Sequence, residues 1–431
     1  MSSPYARARA RARNVFIASL LLASAAPARA AVTCTGAQTY NVPGTYATIS
    51  LAVAAITPTT LTEPVCVTIG DDGTYAEQVT VQGFTNNGSS ITIQAAPGFT
   101  PVVSPPALST AAFLIANASV NVQGISAVIS QSVPYGVWAS SGYVSLSSVS
   151  VSTSGNLGIY TAGVRISSWS AISYSSVTVW GAHGFWLDGA TATAVAFSAA
   201  VNKSATQYPV FLDGGKNNDF TALFARNSHV SGYGLYALGA DSNTVTQSYL
   251  WGGSRGAYLD TGSDYNAISL STTIGNSQYG LYAVGADSNT VTQSYLWGGQ
   301  SGADLATGAD YNSISLSTMI GNSDYGLVAV GADSNIVKQS YLWGGDSGAF
   351  LFPGSDYNAI SLSTVIGNSV YGLFAWGADS NTVTQSYVWG GQIGGVLDTG
   401  ADNNSISLST MIGNSDTGFL NQDSDSNTVT Q

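Results

Sequence analysis

The sequence predicts an all-β chain wound as a single-stranded, right-handed parallel β-helix, a solenoid of 23-residue coils with a short N-terminal capping helix. Three observations carry that prediction. The pattern Asp-x-Asn-x-(Val/Ile) places its Asn at 243, 266, 289, 312, 335, 358, 381, 404 and 427, nine copies spaced by 23 without a gap. No stretch of the unit has helical periodicity. It reads instead as three short apolar alternations, with Asn at one bend, where stacked amides can hydrogen-bond along the axis, and Gly at another. Charged residues make up only 8% of the chain while Gly numbers 49, a composition that favours short strands and turns over helices. Leucine-rich repeats are the competing solenoid, but they need a leucine-dense strand and a helical or looped return. Here the return is Gly-Gly-x-x-Gly or Gly-Asn-Ser-x-x-Gly followed by another alternation, as in Tyr279 to Ala283.

Residues 1–30 read as a secretory signal. Arg7, Arg9, Arg11 and Arg13 precede an apolar run from Val15 to Ala26, and Ala28-Arg29-Ala30 supplies a small-x-small cleavage pattern. The run falls short of the roughly 20 residues needed to span a bilayer. The mature chain then keeps six of the 11 Lys and Arg and all 23 acidic residues, a balance of −17. Such a chain repels phosphate backbones and anionic lipid, which excludes nucleic acid and membrane surfaces as natural partners and leaves divalent cations or neutral glycans. Cys34 and Cys66 are the only cysteines, and one disulfide is the economical reading in an oxidising compartment.

Residues 31–64 form the expected cap. Ile49, Val53 and Ile56 share a helical face and Pro58 stops the run, giving a short amphipathic helix to cover the open solenoid end. A Cys34–Cys66 bridge would tie it to the first coil. Residues 65–230 read as irregular coils, starting at Val65 to Ile69 and Ile91 to Ile93. Variants of a Tyr-Gly-Leu-Tyr-Ala corner follow at Tyr135, Gly158 and Gly184. Residues 231–431 form the regular array, whose coils alternate in a 46-residue double repeat: Asp241 to Gly253 returns verbatim at Asp287 to Gly299. The chain stops at Gln431, the equivalent of Gln247, so the array reads as truncated within a coil, with further coils expected.

The segments Tyr46-Ala-Thr-Ile, Gly73-Thr-Tyr-Ala-Glu-Gln-Val79 and Ile91-Thr-Ile93 resemble the start of the pectin lyase-like superfamily, pectin methylesterases included. The Asn-x-Ile coils look like the repeats of NosD-type exported proteins. This resemblance covers nearly all the mature chain and implies fold more firmly than activity.

Outward residues are the candidates for function. In the second strand of each coil the middle position is polar in the early coils (Val149-Ser-Val151, Val177-Thr-Val179). Tyr249 therefore points out and Leu250 in, although strict alternation from Val245 would reverse this. One face then carries Tyr249, Tyr295, Tyr341 and Tyr387 with Trp251, Trp297, Trp343 and Trp389. These recur on alternate coils about 10 Å apart, with Thr272/Ile274-type pairs between them. Packed corner residues, contact with a glycan and contact with another surface protein are all open for this row. A second column, Asp241, Asp264, Asp287, Asp310 and their five later copies, stacks at coil spacing. Either each Asp caps its own bend, or neighbouring carboxylates share calcium, the one cofactor for which the sequence has a place.

Catalytic patterns are sparse. The esterase-like opening lacks the Gln-Asp-Thr and Asp-Phe-Ile-Phe-Gly segments the resemblance would require. Asp71-Asp72 has no evident partners, His183 reads as a corner variant, and polygalacturonase-like Gly-His-Gly blocks are missing. Copper delivery, which the NosD likeness implies, wants more His, Met or Cys than His183 and His229 supply. Arg255 and His229 near Asp213 and Asp260 are the least implausible catalytic cluster. The expected function is a secreted or cell-surface, non-catalytic β-helix acting in adhesion, glycan binding or structure. Its partners would be an extracellular polysaccharide or another surface protein, with no nucleic acid and no membrane insertion. The alternative is a polysaccharide-active enzyme with its site in the irregular coils.

Overall fold

The computed structural model describes Cys34 and residues 38–130, 132–156, 161–167 and 169–430. The expected signal segment and the corner variant at Gly158 lie outside these residues. The described chain is a parallel β-solenoid whose strands fall into three sheets, one of 17 strands and two of 15. From Val65 to Gln422 each coil contributes one strand to each sheet, and neighbouring strands are parallel: Thr244–Thr246 pairs with Ala267–Ser269, Tyr249–Gly252 with Thr272–Gly275, and Arg255–Leu259 with Tyr279–Ala283.

The first sheet begins earlier than the alternations at Val65 suggest. Gln38–Val42 already pairs with Val65–Ile69. A six-residue helix, α1 (Ile49–Ala54), then occupies the place of the other two strands and buries Ile49, Ala52 and Val53. Thr48 accepts from the Leu51 N–H at 3.2 Å. The Glu77 carboxylate accepts from the Ile49 and Ser50 N–H groups at 2.8 and 3.0 Å, closing the orphan donors of the first turn. Glu77, part of the esterase-like motif, therefore has a structural task. Cys34 and Cys66 form a disulfide, the latter within the second strand of the first sheet.

Inside the solenoid the apolar positions stack. Val245, Ile268, Val291 and Ile314 line the first sheet, and Leu250, Thr273, Leu296 and Met319 the second. The third sheet explains the double repeat from within. Leu281 and Ala283 in one coil are followed by Ala303 and Leu305 in the next, then by Leu327 and Ala329. Large lies on small at both positions, which fills the lumen at the 4.8 Å coil spacing without collision. From Gly252 onward a glycine ends every second-sheet strand, because the chain turns there against its own next strand. A Cβ on Gly275 would overlap the Tyr279 carbonyl.

The corners are polar ladders. Asn243 is buried, its Oδ1 accepts from the Asn218 N–H at 2.9 Å, and its own N–H donates to Asn266 Oδ1 at 2.9 Å. The pattern runs on to Asn427. The expected axial Asn ladder is therefore present and starts one coil earlier, at Asn218. A Ser ladder at the next corner was not foreseen: the Ser248 N–H donates to Ser271 Oγ and the Ser271 N–H to Ser294 Oγ, coil after coil. Between these corners Gln247 takes a φ of 51°. This left-handed residue restarts the in–out alternation, so Leu250 is buried and Tyr249 faces outward, as read from the early coils.

Candidate functional site

The outward side of the second sheet carries the expected row in register. Tyr249 and Trp251 lie beside Thr272 and Ile274, and these beside Tyr295 and Trp297. Tyr341/Trp343 and Tyr387/Trp389 repeat the pattern with Thr318/Ile320 and Thr364/Ile366 between them. Tyr341 and Tyr387 are 38% and 41% exposed, the other Tyr and Trp of the row are half-buried, and Ile320 between them is buried. The corner beside the row alternates Gln247 with Leu270, then Gln293 with Leu316, all at positive φ. Charged side chains are missing from the row's two outward columns between Tyr249 and Ile412. At its N-terminal end the Arg226 guanidinium lies 5.1 Å from the Trp251 ring.

The Asp column is committed to the backbone, though not as the sequence suggested. Each carboxylate caps the next coil's bend instead of its own: Asp264 Oδ1 accepts from the Asp287 N–H at 2.7 Å, and Asp287 Oδ1 from the Asp310 N–H at 2.9 Å. Asp241 accepts from the Asp264 N–H at 3.3 Å and also pairs with Lys216 at 2.7 Å. Partial burial, then the neighbouring carboxylates, push the Asp310 carboxyl above its ordinary range against the opposing backbone N–H. Among the described residues, no three His, Cys, Asp or Glu side chains come together in a metal-holding group.

The third sheet holds what the sequence reading missed. Segments of the Tyr-Gly-Leu-Tyr-Ala type are strands, and their second Tyr faces out. One outward column runs Trp138, Arg165, Trp186, Phe211, Tyr236, Tyr258, Tyr282 and Asp304 on successive coils. Ring centroids along it lie 5.9 Å apart for Trp186–Phe211, 5.4 Å for Phe211–Tyr236 and 5.0 Å for Tyr236–Tyr258 and Tyr258–Tyr282. Tyr208, Tyr233, Arg255 and Tyr279 flank it.

Two guanidinium groups are set into this ridge. Arg165 is ion-paired with Asp188, donates to the Tyr135 hydroxyl at 2.7 Å and lies 4.3 Å from the Trp186 ring. Arg255 donates to the Tyr233 hydroxyl at 2.9 Å and sits 4.3 Å from the Tyr282 ring and 4.7 Å from that of Tyr258. Among the described residues the ion pairs are Arg165–Asp188 and Lys216–Asp241, so Arg255 has no carboxylate partner. The Tyr236 hydroxyl donates to Asp260 at 2.7 Å. Burial, then Asp260, raises the Tyr236 and Tyr258 phenols, so both stay protonated as hydrogen-bond donors. Asp304, 8% exposed, is pushed up to about 6 by burial.

The catalytic cluster weighed from sequence does not assemble. His229 lies at the corner between second and third strands, where its Nδ1 accepts from the Ser231 N–H, while Arg255 belongs to the tyrosine cage. Asp213 and Asp260 are two coils apart, with Leu238 between them. His183 is buried at the start of a third-sheet strand. Its Nδ1 accepts from the Tyr208 N–H at 3.1 Å, its ring stacks on Phe211, and burial lowers it to about 3. Asp71 accepts from the nearby Tyr75 hydroxyl, and Asp72 accepts from the Thr100 N–H of the next coil. A hollow of about 360 Å³ beside α1, bordered by Ser50, Val53, Gln78 and Phe84, is lined by no ionisable side chain.

Comparison with known proteins bears on the architecture. The family model described as "right handed beta helix region" matches residues 157–340 and 233–388, together more than half of the chain. No curated protein sequence matches. Among solved structures, the A-module of mannuronan C-5 epimerase AlgE4 from Azotobacter vinelandii is 11% identical (TM-score 0.42), covering 75% of this chain and 86% of that one. DFA-IIIase from Arthrobacter chlorophenolicus A6 without its lid is 14% identical (TM-score 0.42), covering 81% and 95%. The Dettilon tailspike protein is 12% identical (TM-score 0.46), covering 78% of this chain and 62% of its own.

Proposed function

The chain belongs to the right-handed β-helix family, and from that premise we propose that it is an exported, non-catalytic β-helix that binds an extracellular polysaccharide along its third sheet. The observation that carries this reading is the ridge of Tyr236, Tyr258 and Tyr282 with Arg255 alongside. Sugars present apolar C–H faces edged by hydroxyls. A row of closely spaced, mutually tilted phenol rings with protonated hydroxyls, a guanidinium without an ion-pair contact and the nearby Asp260 complement both features. The second sheet is less suited: its row supplies Tyr and Thr hydroxyls, but between Tyr249 and Ile412 no guanidinium or carboxylate stands among its two outward columns. Export rests on the basic and apolar N-terminus and on the Cys34–Cys66 disulfide, which suits an oxidising compartment. None of the helices among the described residues is long and apolar enough to cross a membrane. In this reading α1 covers the first coil as a cap.

A second reading, hydrolysis or another polysaccharide-directed reaction, is favoured by one observation. Asp188 and Asp213 are register neighbours on the ridge, and Asp213 is raised, by burial first and then by Asp188. Two neighbouring carboxylates in unlike surroundings, one ion-paired with Arg165 and the other raised by burial, are an arrangement that acid–base chemistry on a glycosidic bond uses. Incubating the mature protein with polygalacturonate, alginate and xylan separates the two. Retention without turnover is expected, and release of products would replace the binding reading by the enzymatic one. Calcium shared along the Asp column is tested by chelation: an unchanged thermal midpoint removes it.

A further inference from the structure

We propose that the Tyr/Trp row of the second sheet is a self-association face, on which a second copy of this chain docks antiparallel about a two-fold axis. The row is corrugated. Coils bearing Tyr and Trp stand as ridges, and the coils between them, bearing Thr and Ile, form valleys, so the surface repeats every two coils, about 9.6 Å. An ordinary partner has no reason to carry that period. Another copy carries it by construction.

Symmetry then selects one arrangement. From Tyr249 to Ile412 the stripe has eight coils, alternately ridge and valley, starting on a ridge and ending on a valley. A two-fold axis along the solenoid sets ridge on ridge. An axis across the solenoid, in the plane of the face and between the Thr318 and Tyr341 coils, reverses the order and sets a ridge against a valley at all eight levels. Each Tyr then meets a Thr, each Trp an Ile, and each corner Leu a Gln. This contact is isologous and closed, so it stops at a dimer.

Charge and exposure agree with this occupant. Copies of a chain with net charge −12 repel, yet the stripe itself contains no charged side chain, so docking buries no carboxylate. The valley coils lift Leu270, Leu316, Leu362 and Leu408, 45–62% exposed, at the edge of the stripe, extending an apolar surface that is costly to leave in water. Eight coils at about 4.8 Å, some 15 Å wide, offer roughly 500 Å² from each copy, near the lower bound of specific interfaces, so the dimer should be of micromolar strength.

Sedimentation velocity of the mature chain, without glycan, tests this between about 1 and 100 µM. A shift from monomer to dimer is expected across that range. The deciding variant is Thr318→Tyr with Ile320→Trp, which turns a central valley into the ridge sequence the fold already accommodates in adjacent coils. It adds apolar surface but removes the fit, so dimerisation should weaken at least tenfold. A monomer at every concentration would overturn the proposal. So would a variant that associates as tightly as the parent or more tightly, because simple stickiness would then explain the contact. Neither outcome bears on glycan binding, which the proposal places on another sheet.

Discussion

The two halves of the solenoid share a cross-section but differ in what fills their corners. In the irregular half, coils vary: Val65 pairs with Ile91 and Ile91 with Val120, coils of 26 and 29 residues. Corner rungs there are interrupted: the Ser175 N–H donates to Ser198 Oγ, but Leu223 takes the next place, and within the first sheet Asn121 reaches Ser90 and Thr92 across one coil boundary. In the regular half every coil is 23 residues, and Asn, Asp and Ser each accept from the neighbouring coil's backbone, so the corners form continuous ladders. Five of the six Lys and Arg beyond residue 30, and both histidines, lie between Arg165 and Arg255, where the halves meet. Uniform coils allow unbroken ladders but only repeated surfaces; unequal coils break the ladders into short runs and can hold a group found nowhere else.

That contrast can be broken most severely at the ladder. Asn312→Ala removes the acceptor for the Asn289 N–H and the donor to the Ala286 carbonyl, both buried, and should cost about 3 kcal/mol in urea unfolding. Asn121→Ala in the irregular half should cost less than about 1 kcal/mol, because Asn121 and Ser90 are half-exposed and water can replace the lost bonds. Equal losses would remove the distinction.

Asp304 sharpens it next, since it interrupts the aromatic column at the first fully regular coils. Burial raises this carboxyl to about 6, above its unfolded value, so the ionised form burdens the native state. Native stability should therefore fall as pH rises from about 4 to about 6 and stay level above. Asp304→Asn should flatten that decline and gain about 2 kcal/mol at pH 7.5 with no gain at pH 4, read from paired urea titrations.

Smaller effects are expected from the cations. Arg165→Met loses a partly exposed ion pair and the contact with Trp186, about 1 kcal/mol in the same assay. Lys216→Met, whose ammonium group is solvated beside Asp241, should leave the unfolding midpoint unchanged.

How much of this was legible in the sequence follows the same divide. The 23-residue spacing of Asn243 and its copies revealed the coil, the parallel sheets and the Asn ladder, because regular coils repeat their contacts at a fixed offset. The outward turn of Tyr249 was legible only by comparison with Val149 and Val177, since the left-handed Gln247 that restarts the alternation has no glycine to mark it. The Asp hydrogen bonds were assigned to the wrong coil because one coil read alone cannot show that its carboxylate serves the next. The third-sheet ridge was missed for a different reason. Trp138, Arg165, Trp186 and Phe211 are separated by 27, 21 and 25 residues and belong to different residue types, so only the pairing register aligns them. The Tyr-Gly-Leu-Tyr-Ala copies did carry a signal: Leu and Ala exchange places in alternate coils, as inward residues of a strand do.

The most direct test is affinity electrophoresis of the mature protein through gels containing polygalacturonate, alginate or xylan, with Tyr258→Ala and Trp297→Ala run beside the parent. Retardation by at least one polysaccharide, abolished by Tyr258→Ala and kept by Trp297→Ala, is the expected result. Retardation lost with Trp297→Ala and kept with Tyr258→Ala would place the binding face on the second sheet and contradict it.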